Sequence, residues 1–106
     1  MARWLIRVDR GGPWDWSKDM REQDGWDGHA AYMDGIFEEG WLLLVGPLEG
    51  KRNTMWLVEA ESEQEIRDRM REDPWAKNGM LTPVSIEKWD IVLDRLPAPK
   101  SKPRSR

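Results

Sequence analysis

Trp41-Leu42-Leu43-Leu44-Val45-Gly46-Pro47, followed by Met55-Trp56-Leu57-Val58, decides the fold. Both are short continuous apolar runs, and Glu49-Gly50-Lys51-Arg52-Asn53 lies between them as a turn. That combination predicts the two strands of a β-hairpin. Neither run alternates apolar with polar residues, so both faces of the sheet are apolar there. Helices can cover one face. The economical cover for the other is the same sheet from a second copy of the chain, related by a two-fold axis.

On the N-terminal side of the hairpin, Arg3 to Arg10 alternates, with Trp4, Ile6 and Val8 on one face, which predicts a strand. Gly11-Gly12-Pro13 breaks it, and residues 13–19 read as a loop carrying Trp14 and Trp16. A helix is expected over roughly 19 to 39. Trp26, His29, Ala30, Met33, Ile36 and Phe37 recur on one helical face, and Gly40 closes the helix.

On the C-terminal side, Ser62 opens a second helix, with Glu65 at capping-box spacing and Ile66 and Met70 as the apolar stripe. Pro74 stops it, which leaves Asp73 at its C-terminal end. The last strand is expected from Pro83 to Leu93. Val84 and Ile86 share one parity while Trp89, Ile91 and Leu93 share the other, so a β-bulge is expected near Glu87-Lys88. The order is βαββαβ. Right-handed crossovers place both helices on one face of a four-stranded antiparallel sheet, an α+β, ferredoxin-like arrangement.

The 106 residues fit one domain, expected over 1–96. Residues 97–106, PAPKSKPRSR, hold four Lys/Arg and nothing apolar enough to bury, so a disordered basic tail is expected there. Residues 1–96 carry 13 Lys/Arg against 20 Asp/Glu, a net of −7. So acidic a domain lacks the clustered cations that phosphate neutralisation needs, which argues against nucleic acid as a partner. No apolar stretch approaches the ~20 residues of a membrane span, and no secretory signal is legible, so a cytoplasmic protein without a membrane partner is expected. The absence of cysteine excludes disulfides, thiolate metal sites and cysteine nucleophiles.

The candidate chemistry rests on few residues. His29 is the sole histidine and lies on the apolar stripe of the first helix. There it is either a general base oriented by a carboxylate or a core histidine satisfied by a backbone carbonyl. Asp73 is either that carboxylate or ordinary Asp-Pro turn chemistry. At a helix C-terminus it would oppose the macrodipole, which a nearby imidazole would relieve. One His with no spaced carboxylate pair makes no metal site, and the glycines form no phosphate loop, so no metal or cofactor is expected. Gly46-Pro47 reads as a turn whose backbone can also meet an anion. Trp26, Tyr32 and Trp75 flank the two residues in sequence, as pocket walls or as core. Eight of the ten aromatics are Trp, which suits either use.

The chain resembles the YCII-related family of the dimeric α+β barrel superfamily. The likeness is carried by His29-Ala30-Ala31-Tyr32, Val45-Gly46-Pro47-Leu48, Glu59-Ala60-Glu61-Ser62, Asp73-Pro74-Trp75, Gly79-Met80-Leu81 and Ile86-Glu87-Lys88-Trp89, in that order, within residues 3–93. The resemblance implies a homodimer with a cleft holding a His and an Asp, here His29 and Asp73. It also implies dehydrochlorinase-type chemistry on a small aromatic molecule. The Trp-rich segment 13–26 departs from the family pattern. The leading expectation is an enzyme in which His29 moves a proton in an elimination or isomerisation while Asp73 holds the imidazole. The alternative is a non-catalytic dimeric module that binds a small ligand in the same cleft. A cationic or donor group facing His29 would favour the enzyme, and Arg21 is one candidate.

Overall fold

In the computed structural model, residues 1–96 are described, so the expected tail 97–106 lies outside the described residues. Four strands, β1 (Ala2–Arg10), β2 (Leu42–Pro47), β3 (Asn53–Ala60) and β4 (Leu81–Lys88), form one antiparallel sheet in the order β2-β3-β1-β4. Helix α1 (Trp26–Glu38) links β1 to β2, and α2 (Glu63–Arg71) with the short α3 (Pro74–Lys77) links β3 to β4. This is the expected ferredoxin-like α+β fold.

Directly paired residues share a face of the sheet. Trp4, Ile6 and Val8 of β1 pair with Val58, Trp56 and Thr54 of β3, and all six are buried on the helix-covered face. Ile36 and Met33 of α1 and Ile66 and Met70 of α2 complete that core. On the opposite face Leu44 pairs with Leu57, which pairs with Leu5. This apolar row ends in Leu44, 51% exposed at the β2 edge.

Several local expectations change. Helix α1 begins at Trp26 rather than near residue 19, because the apolar stripe begins only there. Gly25 holds the entry at φ 79°, a left-handed turn that favours glycine. The residues before it form a 3₁₀ turn, Met20–Glu22, with its own capping box at Asp19. Strand β4 ends at Lys88, and its irregularity falls earlier than Glu87-Lys88. Arg7 pairs with Ser85 and Val8 with Pro83, so Val84 is the extra residue. Pro83 has no N–H to donate, and an edge strand at a bulge tolerates that.

Pro74 does not simply stop α2. It opens α3 as its first residue, with Asp73 as N-cap. At the start of α2, Ser62 Oγ accepts from the Glu65 N–H at 3.2 Å, as expected. The Glu65 carboxylate, however, accepts from the Glu61 N–H at 3.0 Å and from Trp41 Nε1 at 2.8 Å. It therefore ties the helix to the Trp41 side chain. Among the described residues no helix is long and apolar enough to cross a membrane.

Candidate active site

His29 lies on the first turn of α1, and Asp73 precedes α3. They meet because the α1 N-terminus packs against Pro74 and Trp75. A Cβ at Gly25 would stand 3.3 Å from Trp75 Nε1, and one at Gly28 would stand 3.4 Å from Pro74 Cγ. Trp75 Nε1 donates to the Asp24 carbonyl at 2.8 Å and locks the two segments together.

The resulting contact is close and dry. His29 Nδ1 is 2.9 Å from both carboxylate oxygens of Asp73. His29 is 7% exposed and Asp73 1%. Asp73 Oδ1 also accepts from the Trp75 N–H at 3.0 Å, so the carboxylate is fixed by the helix that it caps. The expected conflict with a macrodipole vanishes, since a carboxylate at a helix start satisfies orphan N–H groups. The imidazole stacks on Trp75, with ring centroids 3.9 Å apart and planes 10° from parallel. Trp26 leans on it at 5.8 Å, and Trp14 meets Trp75 edge-on at 5.2 Å.

A carboxylate accepts and does not donate. The Nδ1 edge of the ring therefore carries the hydrogen, and Nε2 is left with a lone pair in the neutral ring. His29 forms part of the wall of a cavity of about 470 Å³ between α1 and the sheet, a volume within the usual range for small-molecule sites. From α1 the wall includes Trp26, Ala30, Met33 and Asp34. From the sheet it includes Val45, Gly46, Pro47, Thr54, Trp56 and Leu81. Arg10, Trp14, Met20, Arg21 and Trp75 complete it.

Of the residues singled out from sequence, His29, Trp26, Gly46, Pro47 and Trp75 thus line one cavity, with Asp73 directly behind the imidazole. Tyr32 stands apart from it: its hydroxyl donates to the Arg69 carbonyl and ties α1 to α2. Burial raises the Tyr32 phenol above its ordinary value, against the lowering effect of the Arg69 charge.

Two features of the cavity had no sequence signal. Arg10, at the end of β1, spreads its guanidinium over the rings of Trp14 and Trp16, at 5.2 and 5.1 Å. It donates to the backbone carbonyls of Arg52, at 3.0 Å, and Lys51. Burial lowers its pKa from the usual value. The second is Trp56, an ordinary core strand residue by pattern. Arg21, the donor considered from sequence, lines the cavity with its guanidinium 5.8 Å from the Trp26 ring. Among the described residues no three His, Asp or Glu side chains converge as metal ligands.

Comparison with known proteins agrees with this architecture. The YCII-related domain matches over residues 10–90. Among solved structures the chain is similar to 5-chloro-2-hydroxyhydroquinone dehydrochlorinase from Burkholderia phenoliruptrix AC1100, in complex with 2,5-dihydroxybenzoquinone. The two share 25% identity with a TM-score of 0.61, over 85% of this chain and 94% of that one. No curated protein matches the chain.

Proposed function

The chain belongs to the YCII-related domain family, and on that premise we propose that it is a small-molecule enzyme in which His29 and Asp73 act as a proton-transfer dyad. The observation that carries this reading is the 2.9 Å contact between His29 Nδ1 and a buried carboxylate, on a histidine that also lines the cavity. His29 Nε2 takes a proton from the bound molecule, and the electron pair left behind forms the new π bond. In an elimination the leaving group departs with its own bonding pair, so HX is lost with no change in oxidation state. In an isomerisation the same proton returns at another carbon. Asp73 keeps the ring in the Nδ1–H tautomer and bears the imidazolium that forms. Arg10 and Arg21 supply positive charge toward an oxygen that becomes anionic.

The similar dehydrochlorinase acts on a hydroxylated, chlorinated ring, and that class is the first substrate to try here. The functional unit is a homodimer whose sheets pair through the face bearing Leu44, Leu57 and Leu5. The test is chloride release from 5-chloro-2-hydroxyhydroquinone, together with NMR of the single His on titration with 2,5-dihydroxybenzoquinone. Turnover that falls about 10²–10⁴-fold in His29→Gln is expected. A His29 signal unmoved by the quinone, with chloride release equal in both proteins, would refute the assignment.

A further inference from the structure

Proton transfer by His29 leaves one buried polar group unexplained. Trp56 is 1% exposed, and its Nε1 is the one buried side-chain nitrogen or oxygen without a hydrogen-bond partner among the described residues. Of the four other buried tryptophans, three have an indole N–H bonded within the described residues. Trp4 donates to the Ala60 carbonyl at 3.0 Å, Trp41 to Glu65 Oε2 at 2.8 Å and Trp75 to the Asp24 carbonyl at 2.8 Å. Buried donors are rarely left unpaired, because desolvation without a partner is unfavourable. A phenylalanine would fill a core strand position without that cost. The Trp56 side chain also belongs to the sheet side of the cavity whose helix side includes His29.

The charge of the cavity points the same way. Arg10 lines it as a half-buried cation whose hydrogen bonds, among the described residues, go to neutral backbone carbonyls and to no carboxylate. Neutral carbonyls do not offset the guanidinium charge, which favours an anionic oxygen nearby, and the same wall also includes the Asp34 carboxylate on α1. The apolar remainder, with Trp14, Trp26 and Trp75, suits a flat ring.

We infer that the Trp56 indole N–H is the hydrogen-bond donor to an oxygen of the bound molecule. It makes the cavity selective for a planar ring bearing an ionisable hydroxyl, as phenolate or enolate, over the same ring without one. The inference deepens the proposed function and rests on the reading of this cavity as the ligand site. It makes Trp56 a specificity-determining residue: an unpaired donor rejects the analogue that lacks the acceptor more strongly than shape alone does.

The test uses the intact chain and a matched pair of probes, 4-cyanophenol and 4-methylbenzonitrile, in mildly alkaline buffer. The eight indole N–H signals are assigned by through-bond and proton–proton connectivities and followed in titrations. The Trp56 indole proton is expected to move downfield with the phenol and to stay in place with the methyl analogue. Trp56→Phe is expected to lower affinity for the phenol about tenfold or more while leaving the methyl analogue within about twofold. An indole signal that responds equally to both probes, or to neither, overturns the inference. So does an equal loss of affinity for both in Trp56→Phe. If that variant fails to fold, the titration of the unaltered chain still decides. His29→Gln separates this inference from the proposed reaction. A Trp56 shift that persists in His29→Gln, with turnover absent from both proteins, retains the donor and discards the proton transfer.

Discussion

Replacing Asp73 in two ways separates its structural from its chemical role. Asp73→Ala removes the N-cap of α3, worth about 1 kcal/mol. It also leaves the His29 Nδ1–H without its partner at a site only 7% exposed, and a buried donor stranded in this way costs about 1–3 kcal/mol. The expected loss is therefore about 2–4 kcal/mol, a large part of the 5–15 kcal/mol typical of a domain. Asp73→Asn behaves differently. Its Oδ1 can still accept from the Trp75 N–H, which stands 3.0 Å away. Its amide NH₂ then occupies the position 2.9 Å from His29 Nδ1, where it must donate. The ring answers by moving its hydrogen to Nε2, so Nδ1 becomes the acceptor. Stability should fall by about 1 kcal/mol or less. The base facing the cavity is nonetheless lost, and turnover should fall about 10²–10⁴-fold. Denaturant unfolding reads the first effect. Nitrogen-15 shifts of the single histidine read the tautomer without assignment ambiguity. An Asn variant as unstable as the Ala variant, or one with the same tautomer as the parent protein, would refute the reasoning.

Two glycines on the α1 side should respond in opposite senses: Gly25→Ala, at φ 79° with Trp75 Nε1 at 3.3 Å, should destabilise by about 1–2 kcal/mol. Gly28→Ala, helical and in ordinary contact with Pro74, should stabilise by up to ~1 kcal/mol, with thermal unfolding as the measure. The phenol of Tyr32, the single tyrosine, is raised in the fold chiefly by burial, so the folded state holds its proton more tightly than the unfolded chain. That contribution is full below the ordinary value near ~10 and fades as pH rises through the folded one. Tyr32→Phe should flatten this alkaline loss in pH-dependent unfolding, and an unchanged slope would exclude Tyr32 as its source. Sedimentation of the chain should give roughly 25 kDa, twice the 12.5 kDa of one copy. Leu44→Lys, on the open face, should shift it toward the single copy, and a monomer in the unaltered protein would discard the paired-sheet arrangement.

Period and apolar runs in the sequence alone determined the order of elements and their burial. The Trp4-Ile6-Val8 alternation and the stripe from Trp26 to Phe37 reflect which side chains leave water, and such patterns are local, whereas Leu44 and Val45 of the doubly apolar hairpin stay exposed in the single chain. They also put His29 on a buried face before any contact was known. What the sequence pattern left open was convergence. Asp73 reads as the end of one helix or the start of another, and only the packing of Pro74 and Trp75 against Gly25 and Gly28 makes it a cap that faces an imidazole 44 positions earlier. The bulge at Val84 likewise depends on the register against Arg7 and Val8, which β4 alone does not encode. The cavity itself is space left between α1 and the sheet. Whether the Trp56 N–H or the Arg10 charge finds a partner there depends on what the crossovers bring within hydrogen-bond reach, a distance no spacing along the chain records.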